Sequence, residues 1–190
     1  MGVEKMNTRK LTARAIVLVT VLAVIPLAKS FGAAPQVSAS LIRHVRHELA
    51  MLPYYGVFDW LEFEAQPDGS VTLRGQVTRP TTKSDAEARV KEVEGVKNVV
   101  NQIQVLPVSP QDDRLRIALY RTLYNWDSPL FRYATQSIPS IHLIVDHGRA
   151  TLKGVVATKA DAQLAYVRAR GVPGLFDVKN ELKIEGEGAR

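Results

Sequence analysis

The chain of 190 residues is long enough for one or two domains, and 46% hydrophobic with 23% charged residues exclude a largely disordered protein. Its formal net charge of +6 is concentrated at the start, because residues 1–39 hold five basic residues and one acidic residue. The remaining 20 basic and 18 acidic residues are nearly balanced, which argues against nucleic-acid binding. Without cysteine there can be no disulfide, lipid-modified cysteine anchor or thiolate metal site.

The N-terminus has the organisation of an export signal. Four basic residues open it: Lys5, Arg9, Lys10 and Arg14. A charge-free run of 14 residues, 15–28, follows; it is short for a membrane span, which needs about 20 residues, and it fits the core of a secretory signal. Small residues at 37–39 favour cleavage after Ala39. We therefore expect a signal peptide over 1–39 and a periplasmic protein; the alternative is an uncleaved membrane anchor.

Residues 40–106 predict one complete set of elements. An apolar stripe at helical spacing predicts a first helix: Leu41, Val45, Leu49 and Leu52. Alternating residues on both sides of Asp68-Gly69 predict a β-hairpin over 60–77. Pro80 suits a first helical turn, and the helix it opens has one apolar face: Ala86, Val90 and Val93. A last strand is predicted from Val99, Ile103 and Val105.

A second set follows in the same order. Ser109 to Asp112 suits a helix start, and Leu115, Leu119 and Leu123 form the stripe of that helix. The stretch 126–138 is longer than its counterpart and predicts an extra helical turn. A hairpin around His147-Gly148, then a helix and a strand, complete the set. The last two elements have these apolar positions: Ala165, Ala169, Val172, Val178, Leu182 and Ile184.

The two sets are copies of each other. Residues 71–105 align with 150–184 without a gap, and ten of the 35 positions are identical. Two of the shared residues are the pair Gly75/Gly154, which we expect to allow close backbone approach by a neighbouring helix. A second shared pair, Gly95/Gly174, follows each helix, where a left-handed cap favours glycine.

These elements predict an α+β protein made of two tandem α-β-β-α-β modules. Each module is a small three-stranded mixed sheet with two helices on one face. The expected boundaries are 40–106 for the first domain, 107–111 for a short Pro-containing linker, 112–186 for the second domain and 187–190 for a tail.

This order resembles the BON domain family. The resemblance rests on the glycine-bearing strand Val71–Val77, on the segment Val93–Asn101, and on their partners Thr151–Val156 and Val172–Asn180. It implies an envelope protein associated with phospholipid binding, envelope integrity under osmotic stress, or attachment to larger envelope assemblies. The shared glycines define the fold in that family and imply no ligand chemistry.

The sequence contains little that indicates catalysis or metal binding. It has no phosphate-binding loop, dinucleotide fingerprint or nucleophile elbow, so we expect no enzyme and no cofactor. His44 and His47 share a helix face, but a solvated surface explains them better than a metal site. The carboxylates of Asp112-Asp113 suit a helix start, and those of Glu92 and Glu94 suit a surface.

Aromatic clusters follow the first helix of each copy. In the first copy these are Tyr54, Tyr55, Phe58 and Trp60. In the second copy the cluster has basic neighbours, and we predict lipid contact by Arg121, Trp126, Phe131, Arg132 and Tyr133. The alternative is that both clusters close the open ends of the sheets. The expected function is therefore a non-catalytic module that binds phospholipid or an envelope protein; an adaptor for a transport or secretion complex is the alternative.

Overall fold

A computed structural model of the protein describes residues 37–136 and 138–186. Apart from its last three residues, the predicted signal peptide lies outside them, and so does the predicted tail. In the part of the chain that is described, no helix combines the length and the apolar character needed to cross a membrane. Both predicted modules belong to one compact unit.

The first module contains a three-stranded mixed sheet with its last strand broken in two. Its elements are α1 Ala39–Ala50, β1 Trp60–Ala65, β2 Ser70–Val77, α2 Pro80–Lys91, β3 Asn98–Asn101 and β4 Gln104–Val105. β1 pairs antiparallel with β2, and β3 and β4 both pair parallel with β2. The predicted hairpin and mixed sheet are therefore confirmed.

The second module repeats this topology. Its elements are α3 Pro110–Leu123, a 3-10 helix Pro129–Tyr133, β5 Ile141–Asp146, β6 Arg149–Val156, α4 Lys159–Arg170 and β7 Asp177–Ile184. β5 is antiparallel and β7 parallel to the central β6. The 3-10 helix is the extra turn that the longer stretch predicts. The α+β class and the tandem order are confirmed.

The predicted apolar stripes form the two cores. Leu41, Val45 and Leu49 of α1 are buried in one cluster with residues of β2 and α2. Leu115, Leu119 and Leu123 of α3 are buried in the other. Since each cluster joins both helices to the central strand, burial of these side chains is the main stabilising term of each module.

A repeated asparagine connects each second helix to the last strand. Asn101 Nδ2 donates to Lys83 O at 2.9 Å, and Asn180 Nδ2 donates to Ala162 O at 3.1 Å. The side-chain oxygen of each asparagine also accepts a backbone N–H two residues later. Lys83 and Ala162 occupy the same position of the repeat, so the asparagine shared by the two copies forms the same hydrogen bonds in both.

The structure corrects the role expected for the strand glycines. Gly75 and Gly154 have φ of +130° and +119°, a backbone conformation that residues other than glycine rarely adopt. A Cβ atom there would collide with Trp60 O and Ser140 O respectively. The close neighbour is thus the backbone at the start of the adjacent strand, and not a helix.

Two further expectations differ in detail. Gly95 and Gly174 have positive φ as expected, but α2 and α4 end at Lys91 and Arg170, so both glycines lie in the turn before the last strand and not at the helix cap. The helix start expected at Ser109 to Asp112 is confirmed, because α3 begins at Pro110 with Ser109 as its N-cap, whose Oγ accepts from Asp112 N at 3.1 Å. The first residues of α3 thus overlap the range 107–111 expected for the linker.

Candidate functional site

The predicted lipid-contact segment lies between α3 and β5. Trp126 exposes 79% of its surface and its ring lies 5.1 Å from that of Phe131, which is partly buried. Arg121 is exposed in the last turn of α3 and, among the described residues, forms no ion pair or hydrogen bond. The structure thus brings the exposed Trp126 against the partly buried Phe131 as one aromatic pair. Arg121, five residues before Trp126 in the sequence, does not share their contact.

Arg132 and Tyr133 serve the fold. Tyr133 is buried, and its hydroxyl donates to Asp161 Oδ2 at 2.9 Å and accepts from Ala157 N at 2.9 Å. Arg132 Nη2 lies 2.6 Å from the same carboxylate oxygen, and Thr158 Oγ1 donates to it as well. Of the predicted lipid set, Tyr133 is thus buried and Arg132, whose side chain is 54% exposed, is paired with Asp161. Lipid contact by these residues stays a prediction.

The carboxylate of Asp161 is the centre of this network. Burial by itself would raise its pKa, but hydrogen bonds from Thr158 and Tyr133 and the charge of Arg132 outweigh it, and the pKa is lowered. Asp161 therefore stays ionised and fixes the 3-10 helix to the first turn of α4. This rigid attachment positions the Trp126–Phe131 pair.

The aromatic cluster of the first copy has another role. Residues 55–60 connect α1 to β1 and also contact the second module. Tyr55 stacks on His142 with ring centres 5.4 Å apart, and Trp60 meets the same imidazole edge-on at 5.1 Å. Phe58 packs against Tyr120 of α3 at 6.3 Å. We call this contact the module junction. The expectation that these residues close the end of the first sheet is incomplete, because they also join the two modules.

Backbone hydrogen bonds complete the junction. Leu143 N donates to Val57 O at 2.7 Å, so the segment runs along the outer edge of β5. His142 Nδ1 lies 3.2 Å from Gly56 O, and because a carbonyl only accepts, Nδ1 carries the proton. Burial lowers the pKa of His142, against smaller opposing effects of the backbone at Asp59 and Gly56. A neutral imidazole therefore fits this place.

The family comparison agrees with the duplicated architecture. The model of the BON domain matches residues 61–107 and 130–186, which is more than half of the chain. The chain belongs to the BON domain family. Both matches begin after the first helix of their module, although α1 and α3 supply core residues of the same BON modules.

Other comparisons add little. A search of curated proteins finds no match. Among solved structures, the C-terminal domain of CdsD, a structural protein of the type III secretion system of Chlamydia trachomatis, is 13% identical with a TM-score of 0.30, covering 78% of this chain and 99% of that one. A second CdsD structure from the same organism is 15% identical with a TM-score of 0.29, covering 78% and 95%. Likeness of this degree carries no inference about this BON protein.

The outer face of the second BON sheet forms a charged cleft of about 310 Å³ beside Gln76 of the first module. Its charges largely pair with one another. Glu181 lies 3.1 Å from Lys153 Nζ and 2.6 Å from Lys179 Nζ, and Lys153 also sits 5.8 Å above the ring of Trp60. The two lysines of this cleft share the single carboxylate of Glu181, so this trio keeps one net positive charge.

The histidine pair of α1 faces solvent. His44 and His47 are exposed and line a shallow depression with Arg89 and Glu92. In residues 37–136 and 138–186, no three histidine, aspartate or glutamate side chains converge as ligands of one metal would. Arg89 also lies 3.6 Å from Glu48, so a cation would meet positive charge there.

Proposed function

We propose that this BON protein is a non-catalytic, exported protein that contacts phospholipid surfaces in the periplasm and supports envelope integrity. One observation carries the proposal: Trp126 is 79% exposed and packs against Phe131 with the two rings tilted by 53°, on a segment fixed by the Asp161 network. An indole ring suits the boundary between lipid headgroups and acyl chains, because it is apolar over most of its surface and has one N–H donor.

The position of the pair within the module favours surface contact. The start of α3 holds the β5–β6 turn, since Asp112 accepts from His147 N at 3.0 Å and Gly148 N at 2.8 Å. Trp126 follows the other end of α3 and therefore lies at the opposite end of the module. Phe176, whose N–H donates to Gly148 O, lies at the turn end. Phe176 is 82% exposed and provides a matched aromatic control.

Vesicle flotation tests the proposal. The protein is expected to float with vesicles of phosphatidylglycerol and phosphatidylethanolamine, and Trp126→Ser should weaken the association roughly tenfold because an aromatic interface anchor is lost. Phe176→Ser should have no effect. With Trp60→Phe as background, Trp126 becomes the only tryptophan, and its emission should shift to the blue on binding.

Two results would contradict lipid contact. One is a protein that stays with the soluble fraction at every lipid concentration. The other is equal weakening by Trp126→Ser and Phe176→Ser, since these residues lie at opposite ends of the module. Capture of a defined envelope protein without flotation would instead favour the adaptor that the sequence left as the alternative.

A further inference from the structure

A groove in the first module lies between α1 and the outer edge of β1. It encloses about 400 Å³ and is lined mainly by apolar side chains: Ile42, Leu49, Ala50, Leu61, Phe63 and Ala65. Arg46 and Glu62 also line it, and Tyr55 does so beside the module junction. β1 is an edge strand, so backbone donors and acceptors face this groove.

The internal repeat supplies an occupied version of the same groove. Leu61 is opposite Gly75 and Ile141 is opposite Gly154, so the two strands can be superimposed residue by residue. Phe63 then corresponds to Leu143, whose N–H donates to Val57 O at 2.7 Å. In the second module the turn at 56–58 fills the space between β5 and α3, where Phe58 packs on Tyr120.

The strand residues of the second groove are more buried than their counterparts in the first, as expected if only the second groove is filled. Ile141, Leu143 and Val145 each expose 0% of their surface, whereas their counterparts Leu61, Phe63 and Ala65 are only partly buried. A fourth pair of positions differs in size. Tyr124 follows the last stripe residue of α3 and donates to Ile141 O at 2.7 Å, while Ala50, at the same place on α1, has only a methyl group. The first groove is therefore wider and, within the described residues, unfilled.

We propose that this groove binds an extended strand of a partner protein, which pairs with the free edge of β1 and whose carbonyl accepts from the Phe63 amide, as Val57 O accepts from the equivalent Leu143 amide. Its apolar residues would enter the groove between β1 and α1. Its alternate residues would lie beside Glu62, which is exposed and forms no ion pair among the described residues. A lysine or arginine at that place matches this charge.

Charge disfavours a second copy of this chain as the occupant. If the β1 strands of two copies paired antiparallel, Glu62 and Glu64 of one copy would face the glutamates of the other. Like charges that face each other across strands destabilise a sheet. The segment of a second copy that fits such a groove, residues 56–58, is already used in its own junction. The proposed site goes beyond lipid contact and lies in the other module, so either can fail alone.

A peptide probe tests the site. The probe is a fluorescein-labelled peptide of residues 54–60 carrying Asp59→Lys. It supplies apolar side chains and a lysine for Glu62, and it lacks the carboxylate that accepts from Gly56 N and holds the parent segment in a turn. Fluorescence anisotropy with the whole protein should show saturable binding, and hydrogen exchange of the Phe63 amide should slow in its presence. Glu62→Lys should weaken binding roughly tenfold, equivalent to ~1.4 kcal/mol. Glu94→Lys, the same charge change on an exposed turn, should leave it unchanged.

A second variant separates the two grooves. Ala50→Tyr copies the residue of the second module and should abolish binding by filling the first groove, with an unchanged circular dichroism spectrum. Absence of saturable binding, or binding that survives both Ala50→Tyr and Glu62→Lys, would overturn the proposal. Protection of the Phe63 amide in the absence of peptide would overturn it too. Protection in the monomer would mean that the chain fills its own groove, and protection that grows with protein concentration would mean that a second copy fills it.

Discussion

At the scale of single residues, the backbone conformation requires the glycine that is repeated in the two central strands. Gly154 has φ of +119°, and an added Cβ would collide with Ser140 O. We expect Gly154→Ala to lower the free energy of unfolding by about 2–4 kcal/mol, because strain and overlap act together. Gly56→Ala is the control, since its φ is not left-handed and nothing lies within 4 Å of its Cβ. Urea denaturation measures both; equal stabilities would refute this account.

At the scale of one element, the 3-10 helix depends on the Tyr133 hydroxyl. Tyr133→Phe leaves Ala157 N without its acceptor and removes one donor to Asp161, so we expect a loss of about 1–3 kcal/mol in unfolding free energy. Hydrogen exchange over 129–133 should become faster. The control is Tyr120→Phe. The hydroxyl of Tyr120 forms no hydrogen bond among the described residues, so its removal should change the unfolding free energy by less than about 0.5 kcal/mol. A similar loss in both variants would argue against the network.

At the scale of the whole molecule, the junction should make stability depend on pH through His142. Burial lowers its pKa from 6.5, so the unfolded chain binds the proton more readily. The contribution is complete above pH 6.5 and is lost as pH falls below it toward the lowered folded value. Asp161 titrates in a more acidic range, since its pKa is lowered from 3.8.

Thermal melting between about pH 7.5 and 5 measures this effect. The melting temperature of the parent protein should fall more over this range than that of His142→Phe, which keeps a ring between Tyr55 and Trp60 without a titrating group. His44→Gln, on the exposed face of α1, should retain the parent profile. Identical profiles for the parent and His142→Phe would show that the junction does not sense protonation.

Local patterns were sufficient to predict the modules. Helical stripes such as Leu41–Val45–Leu49, the turn at Asp68-Gly69 and the gapless repeat depend on neighbours along the chain, and the structure confirms them. The family membership follows from the same features. Local patterns were insufficient where a residue type has two uses. Tyr133 is aromatic enough for a membrane, yet it is buried and its hydroxyl donates to Asp161.

By itself, then, the sequence determined the duplicated α+β architecture, because the period of apolar residues and the turn residues act over a few positions. Only the tertiary structure decided what the first aromatic cluster does. The contact of Gly56 with His142 joins residues 86 positions apart, and no local period encodes such a pairing. The same is true of the difference between the grooves: whether an edge strand is covered depends on which distant segment reaches it.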